Sequence, residues 1–188
     1  MSNVGEDIRL RLDLQLVPSS LLEVLTVLHE SGYEAFCVGG SVRDLIMGRP
    51  VHDWDVATSA LPMQVVDLFD KVVETGVDHG TVTVIFGSES YEVTTYRIDV
   101  GATDGRRPDD VNFTRSLEED LKRRDFTMNA MAWNPLGDTF IDPHNGRADI
   151  EVGLIRAVGD PFERLSEDGL RALRGVRFCA TLGFSLEP

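Results

Sequence analysis

Cysteine is nearly absent: the 188-residue chain has only Cys37 and Cys179. Both lie in apolar contexts and read as buried thiols. That points away from a disulfide-stapled secreted protein and toward a reducing cytoplasm. Long hydrophobic runs are missing too. No stretch approaches the roughly 20 apolar residues that a membrane span requires. The N-terminus carries Glu6 and Asp7 and lacks the basic-then-apolar pattern of a secretory signal. Positive charge is in short supply: 18 Lys and Arg stand against 32 Asp and Glu, a net charge of −14. A protein that coats nucleic acid over its whole surface needs the opposite balance. A local basic site stays open, because arginines cluster at 106, 107, 115, 123 and 124 and again at 171, 174 and 177. The four histidines include His52, His79 and His144, and no spacing among them suggests a zinc site.

What is present is an ordinary globular composition, 42% hydrophobic and 27% charged. The length suits one domain, or one domain and part of a second. Leu21, Leu22, Leu25 and Leu28 recur at helical spacing after Pro18, and Gly32 ends that run. Residues 35–38 read as a short buried strand. Ser41 and Asp44 have the form of a capping box, so a helix is expected after Gly39-Gly40, ending near Gly48. Residues 53–58 read as the next strand, and Pro62 opens a helix through Phe69. Residues 81–86 and 91–96 are rich in β-branched and aromatic residues and form a hairpin around 87–90. Residues 99–112 read as a loop. Helix is expected over 117–124, with a further helical stretch over 127–132. A turn lies at 134–138, a connector starts at 146–152, and one amphipathic helical run covers 162–182. The fold class expected is α/β or α+β, a mixed sheet followed by helices.

The chemistry-bearing residues are carboxylates and glycines. Asp53 and Asp55 are two apart, so on a strand both face one side. Hard oxygen ligands without neighbouring Cys favour magnesium, which keeps waters and bridges substrate phosphates. Glu92 lies in a β-prone run expected beside the aspartates' strand, where a charge must face solvent or a ligand. Upstream, Gly39-Gly40 lets backbone N–H groups approach a phosphate at a helix start. Arg43, one turn on, can add a charged fork. Much later, Asp168 and Arg171 are three apart and are expected to be neighbours on a helix. An acceptor and a forked donor so placed can imitate the Watson–Crick edge of a base. Arg171, Arg174 and Arg177 would make a basic stripe along that helix.

The segment CVGGSVRDLIMGRPVHDWDVAT resembles the signature of class II template-independent nucleotidyltransferases, the CCA-adding tRNA enzymes and bacterial poly(A) polymerases. The segment YEVTTYRID is similar to that family's strand bearing the third carboxylate. DGRRPDDVNFTRSLEEDLKRRDFTMNAMA resembles its flexible loop and ribose-contacting motif. IDPHNGRADIEVGLIRAVGDP is similar to the exit from the catalytic head, and SEDGLRALRGVRFCATLGF to the nucleotide-selecting helix of the neck. The resemblance spans roughly residues 33–186. It implies a polymerase β-like head over residues 1–150 and the start of a helical neck over 151–188. It implies that Gly39, Gly40 and Arg43 hold the triphosphate and that Asp53 and Asp55 hold Mg2+, with Glu92 completing the catalytic carboxylates. Arg124 and Asp125 would meet the nucleotide's ribose and phosphates. Glu167, Asp168 and Arg171 would select the base, with Arg174 and Arg177 on the same helical face.

The implied reaction is attack of an RNA 3′-hydroxyl on the α-phosphate of CTP or ATP, with pyrophosphate leaving. The implied partner is the tRNA 3′ end or another RNA. The loop over 99–112 looks intact, which disfavours CC-only addition. The strand sequence is closer to the tRNA enzymes than to the poly(A) polymerases. CCA addition is therefore expected first, and A addition or poly(A) synthesis second. A non-catalytic RNA-binding module and a small-molecule nucleotidyltransferase are the competing classes.

Overall fold

The computed structural model describes residues 12–100 and 110–188. Its first helix, α1 (Ser19–Glu30), buries Leu21, Val24, Leu25 and Leu28. These positions recur at three- and four-residue spacing, which is the periodicity that places them on one face. Strand β1 (Ala35–Val38), helix α2 (Gly40–Ile46), strand β2 (Asp55–Thr58) and helix α3 (Pro62–Leu68) follow. Then come β3 (Val72–Gly76), β4 (Thr81–Phe86) and β5 (Glu89–Thr95). Strand β8 (Ala132–Asn134) and strand β9 (Thr139–Ile141) complete a seven-stranded sheet in the order β3-β4-β5-β2-β1-β8-β9. Within this sheet, among the described residues, only the central β2–β5 pairing is parallel.

β1 is buried on both faces, which is why it reads as a continuous apolar run. Ala35 and Cys37 join the core under α1, α2 and α3, whereas Phe36 and Val38 join a second core on the opposite face. β2 divides the same way, with Val56 on one side and Ala57 on the other. The second core contains Leu117 and Leu121 of α4 (Leu117–Lys122) and Tyr96. Each such fully buried side chain contributes roughly 1.5–3 kcal/mol. The site is thus mounted on a sheet held from two sides.

Several local expectations change. Residues 99–112 are not one loop: β6 (Arg97–Val100) pairs antiparallel with β7 (Asp110–Phe113). The segment 101–109 between them, including Arg106 and Arg107, lies outside the described residues. The hairpin turn is tighter than expected, because Phe86 pairs directly with Glu89 across Gly87-Ser88. Residues 127–132 hold a single 3-10 turn (Thr127–Asn129) that leads into β8. Residues 146–152 form a helix, α5 (Gly146–Val152). Gly146 is seated so close to the Thr127 carbonyl that an added Cβ would lie 2.1 Å from that oxygen.

The long helical run breaks in two, α6 (Pro161–Glu167) and α7 (Leu170–Leu182). Asp168 sits at the break with extended backbone, and its Oδ1 accepts the Leu170 N–H. A third small core of Phe126, Met128, Ile155 and Phe178 fastens α7 to the sheet side of the molecule. Next to it β10 (Leu154–Ile155) pairs with β11 (Ser185–Leu186). Cys37 is buried, and burial pushes its thiol up to about 12. Cys179 is only half-buried, contrary to expectation. Among the described residues no helix is long and apolar enough to cross a membrane.

Candidate active site

The parallel register of β2 and β5 sets Asp55 opposite Glu92. Paired residues in a ladder share a face, so both carboxyls emerge on the same side. Asp53 lies just before β2, not in the strand as expected. Trp54 between them is buried in the core. Asp53 and Asp55 on either side of it both line the same cleft. Burial raises the Asp55 carboxyl above its ordinary value; Arg124 opposes this, while Glu92 and Asp53 add to it.

Facing the carboxylates is the turn into α2. Gly39 has φ 71° and ψ −128°, a conformation open to glycine and strained for other residues. A Cβ there would lie 3.0 Å from Arg124 Nη1 and 4.0 Å from Asp55 Oδ2. The expected Ser41–Asp44 capping box does not form. Ser41 Oγ instead donates to the Val38 carbonyl (3.0 Å), and Asp44 takes a bidentate bond from Arg43. No side chain caps α2, and Gly39 and Gly40 at its start line the cleft. Arg43 also donates to Asn129 Oδ1 at 2.8 Å.

The third wall comes from the loop after α4. Asp120 is 1% exposed and binds Arg123 Nε at 2.9 Å and Arg124 Nη2 at 3.2 Å. Burial alone would raise its pKa, but Arg124 and Arg123 outweigh that and hold it below the usual carboxylate range. Asp125 accepts the Phe126 N–H (2.8 Å) and the Asn129 Nδ2 (3.1 Å) on Oδ1, and Arg174 Nε (2.7 Å) on Oδ2.

The last wall is the α6–α7 junction. The expected Asp168–Arg171 pair on one helix is absent, because Asp168 has left the helix. Arg171 instead binds Glu167 Oε2 at 2.5 Å, and its fork also donates to the Arg123 and Arg164 carbonyls. Arg164 shares the same Glu167 oxygen at 2.8 Å. Below them Phe178, 5% exposed, carries the guanidinium carbons of Arg43, Arg174 and Arg177 at 5.2, 5.7 and 5.0 Å from its ring centroid. Phe126 meets Phe178 edge-on at 5.9 Å. Gly175 packs closely alongside, where an added Cβ would lie 3.2 Å from the Phe126 ring.

All thirteen residues singled out from the sequence line one cleft of about 1290 Å³. Its floor is acidic at Asp53, Asp55 and Glu92, and its walls carry arginines from α2, α6, α7 and the loop after α4. Sequence reasoning missed Asn129 and Phe178, which hold the arginines in place. Both sit inside motifs that were noticed, and only their partners across the chain show their use. Among the described residues no three His, Cys, Asp or Glu side chains converge closely enough to enclose a metal ion. Two hard carboxylates, Asp53 and Asp55, with open space before them, suit an ion that keeps waters and substrate oxygens.

The comparisons agree with this architecture. The family model described as the poly A polymerase head domain matches residues 35–156. The CCA-adding enzyme of Lactobacillus johnsonii is 52% identical over 176 residues, covering 94% of this chain and 44% of that protein. The CCA-adding enzyme of Streptococcus suis is 49% identical over 178 residues, covering 93% and 44%. Among solved structures, the Bacillus stearothermophilus CCA-adding enzyme in complex with CTP superposes with a TM-score of 0.83 at 47% identity, covering 92% of this chain and 42% of that one. The chain thus spans less than half the length of these relatives. With its matched segment containing the glycine turn, the three carboxylates and the Arg124-Asp125 loop, the chain belongs to the poly A polymerase head domain family.

Proposed function

We propose that this chain is the catalytic part of a CCA-adding tRNA nucleotidyltransferase. It transfers CMP, CMP and AMP in turn from CTP and ATP to a tRNA 3′-hydroxyl and releases pyrophosphate. The observation that carries this is the single cleft joining the Asp53–Asp55–Glu92 floor to the Glu167-Asp168-Arg171 junction. The relatives at about half identity are CCA-adding enzymes. A head through residue 150 and a neck from 151, in a cytoplasmic protein, go with this reading.

In it, the Gly39-Gly40 turn and Arg43 bind the triphosphate, and Arg174 and Arg177 neutralise it from the opposite wall. Arg124 and Asp125 orient the ribose. The junction of α6 and α7 reads the base with fixed donors and acceptors, so protein stands in for a template strand. Mg2+ held by Asp53 and Asp55 would polarise the α-phosphate and lower the pKa of the attacking hydroxyl. The protein's own contribution is positioning and fixed charge. The matched family's description favours one second reading, poly(A) synthesis or A addition on the same site.

The test uses tRNA ending at the discriminator base, at C, or at CC, incubated with labelled CTP, ATP or both. CCA addition predicts that the first two substrates extend with CTP, and that every substrate is completed by a single A. Extension of only the CC-ending tRNA by ATP would replace the proposal with A addition. Open-ended A tracts would replace it with poly(A) synthesis. Asp53→Ala and Asp55→Ala should each abolish transfer.

A further inference from the structure

Asn129 joins the α2 wall of the cleft to the Asp125 loop. The residue is 6% exposed. Oδ1 accepts from Arg43 Nη1 at 2.8 Å, and Nδ2 donates to Asp125 Oδ1 at 3.1 Å. Asp125 in turn accepts Arg174 Nε at 2.7 Å. The amide orientation follows from its neighbours: a guanidinium cannot accept and a carboxylate cannot donate. Only a neutral group with one acceptor and one donor can sit between a cation and an anion in this order. Leucine has the size but neither function, and aspartate keeps the acceptor and loses the donor.

We propose that Asn129 is a positioning residue that sets Arg43 of α2 and Arg174 of α7 as one unit. The proposal rests on the nucleotide reading of the cleft. Its chain of bonds, Arg43–Asn129–Asp125–Arg174, spans from the triphosphate end to the helix that follows the base-reading junction. When Arg43 releases Asn129, Asp125 loses one of the groups that orient it, and Arg174 is held less well. The contributions of the two arginines to ligand affinity are therefore not independent.

The test is a double-mutant cycle on the 188-residue chain, with CTP and inorganic tripolyphosphate as probes. Arg43→Lys and Arg174→Lys are each expected to weaken CTP binding by roughly tenfold, the scale of one charged hydrogen bond. Together they should cost clearly less than the product of the single effects. In an Asn129→Leu background the two effects should multiply. Asn129→Asp is the second variant: it should retain the Arg43 contribution to tripolyphosphate binding yet also lose the coupling, which mere loss of packing would not produce. Melting curves of both variants show that the fold is kept, and Asn129→Asp carries the test if Asn129→Leu does not fold. Multiplicative effects in the Asn129 chain, or coupling that survives both substitutions, would overturn the proposal. Binding of tripolyphosphate with none of CTP or ATP would overturn the nucleotide reading, with the coupling still readable on tripolyphosphate. Failure to bind either probe would overturn both.

Discussion

At Asp55 a carboxylate is set where the fold resists its charge. It is partly buried, faces Glu92 across the β2–β5 ladder and has Asp53 two residues away. Arg124 compensates only in part, because the net effect still raises the pKa from 3.8. The sign of the consequence follows from linkage. An acid whose folded pKa is raised holds its proton in the folded state after the unfolded chain has released it. Stability is therefore lost as pH rises from 3.8 through the folded value, and the penalty is complete above that value. Asp55→Asn removes the penalty. Without divalent cation the variant should melt a few degrees above the wild type at neutral pH, with the gap closing in acid. Added magnesium should raise the melting temperature of the wild type and leave the variant nearly unchanged. Nucleotide transfer by the variant should be abolished. A variant less stable than the wild type at neutral pH would refute the electrostatic account of this site.

α4 is a short element that buries one acidic residue beside Leu117 and Leu121. Asp120 is 1% exposed, pairs with Arg123 and Arg124, and accepts the Arg97 N–H at 3.3 Å. Its pKa is lowered, so its stabilisation is present above 3.8 and is lost as pH falls through the lower folded value. Asp120→Ala leaves two half-buried guanidiniums without that partner and should cost roughly 3 kcal/mol at neutral pH. Denaturation curves should show the wild-type advantage shrinking only in strong acid. An advantage that vanishes near pH 6 would point to another group. Loss of activity should accompany it, since Arg124 then leaves its seat against Gly39. In the sequence, most of these elements were legible where local pattern and tertiary demand agree, as in α1, β1 and the β4–β5 hairpin. Strands β6 and β7 were not, because a glycine- and aspartate-rich sequence joins two short strands that pair with each other. The break at Asp168 was equally hidden: its cause is the turn accepted by its own carboxylate, while the apolar spacing on either side runs on. That break directs Arg171 to Glu167 rather than Asp168, so the two residues expected as an i,i+3 helical pair line one cleft without that helical geometry.

Over the whole molecule, the net charge of −14 and the arginine-lined cleft are compatible because the arginines are mostly neutralised where they stand. Arg43 meets Asp44, Arg123 and Arg124 meet Asp120, Arg164 and Arg171 meet Glu167, and Arg174 meets Asp125. Three of these pairings lie on or reach α6 and α7, the last elements of the chain. The two large cores contain no residue beyond Val158. The third core depends on Phe178, and β10 depends on β11. Removing residues 161–188 should therefore leave a chain that folds on its seven-stranded sheet but exposes Phe126, Met128 and Ile155. Each of those side chains forfeits up to roughly 1.5–3 kcal/mol of burial, so the shortened chain should melt lower and bind a hydrophobic dye. Its cleft would keep Asp53, Asp55, Glu92, Gly39 and Arg43 and lose Glu167, Asp168, Arg171, Arg174 and Arg177. Tripolyphosphate should still bind, more weakly, whereas any preference for CTP and ATP over GTP and UTP should disappear. Competition binding with the four nucleotides measures both effects at once. A shortened chain that still prefers CTP and ATP would place base selection on the sheet side of the cleft, and Asp168 and Arg171 would lose the role proposed for them.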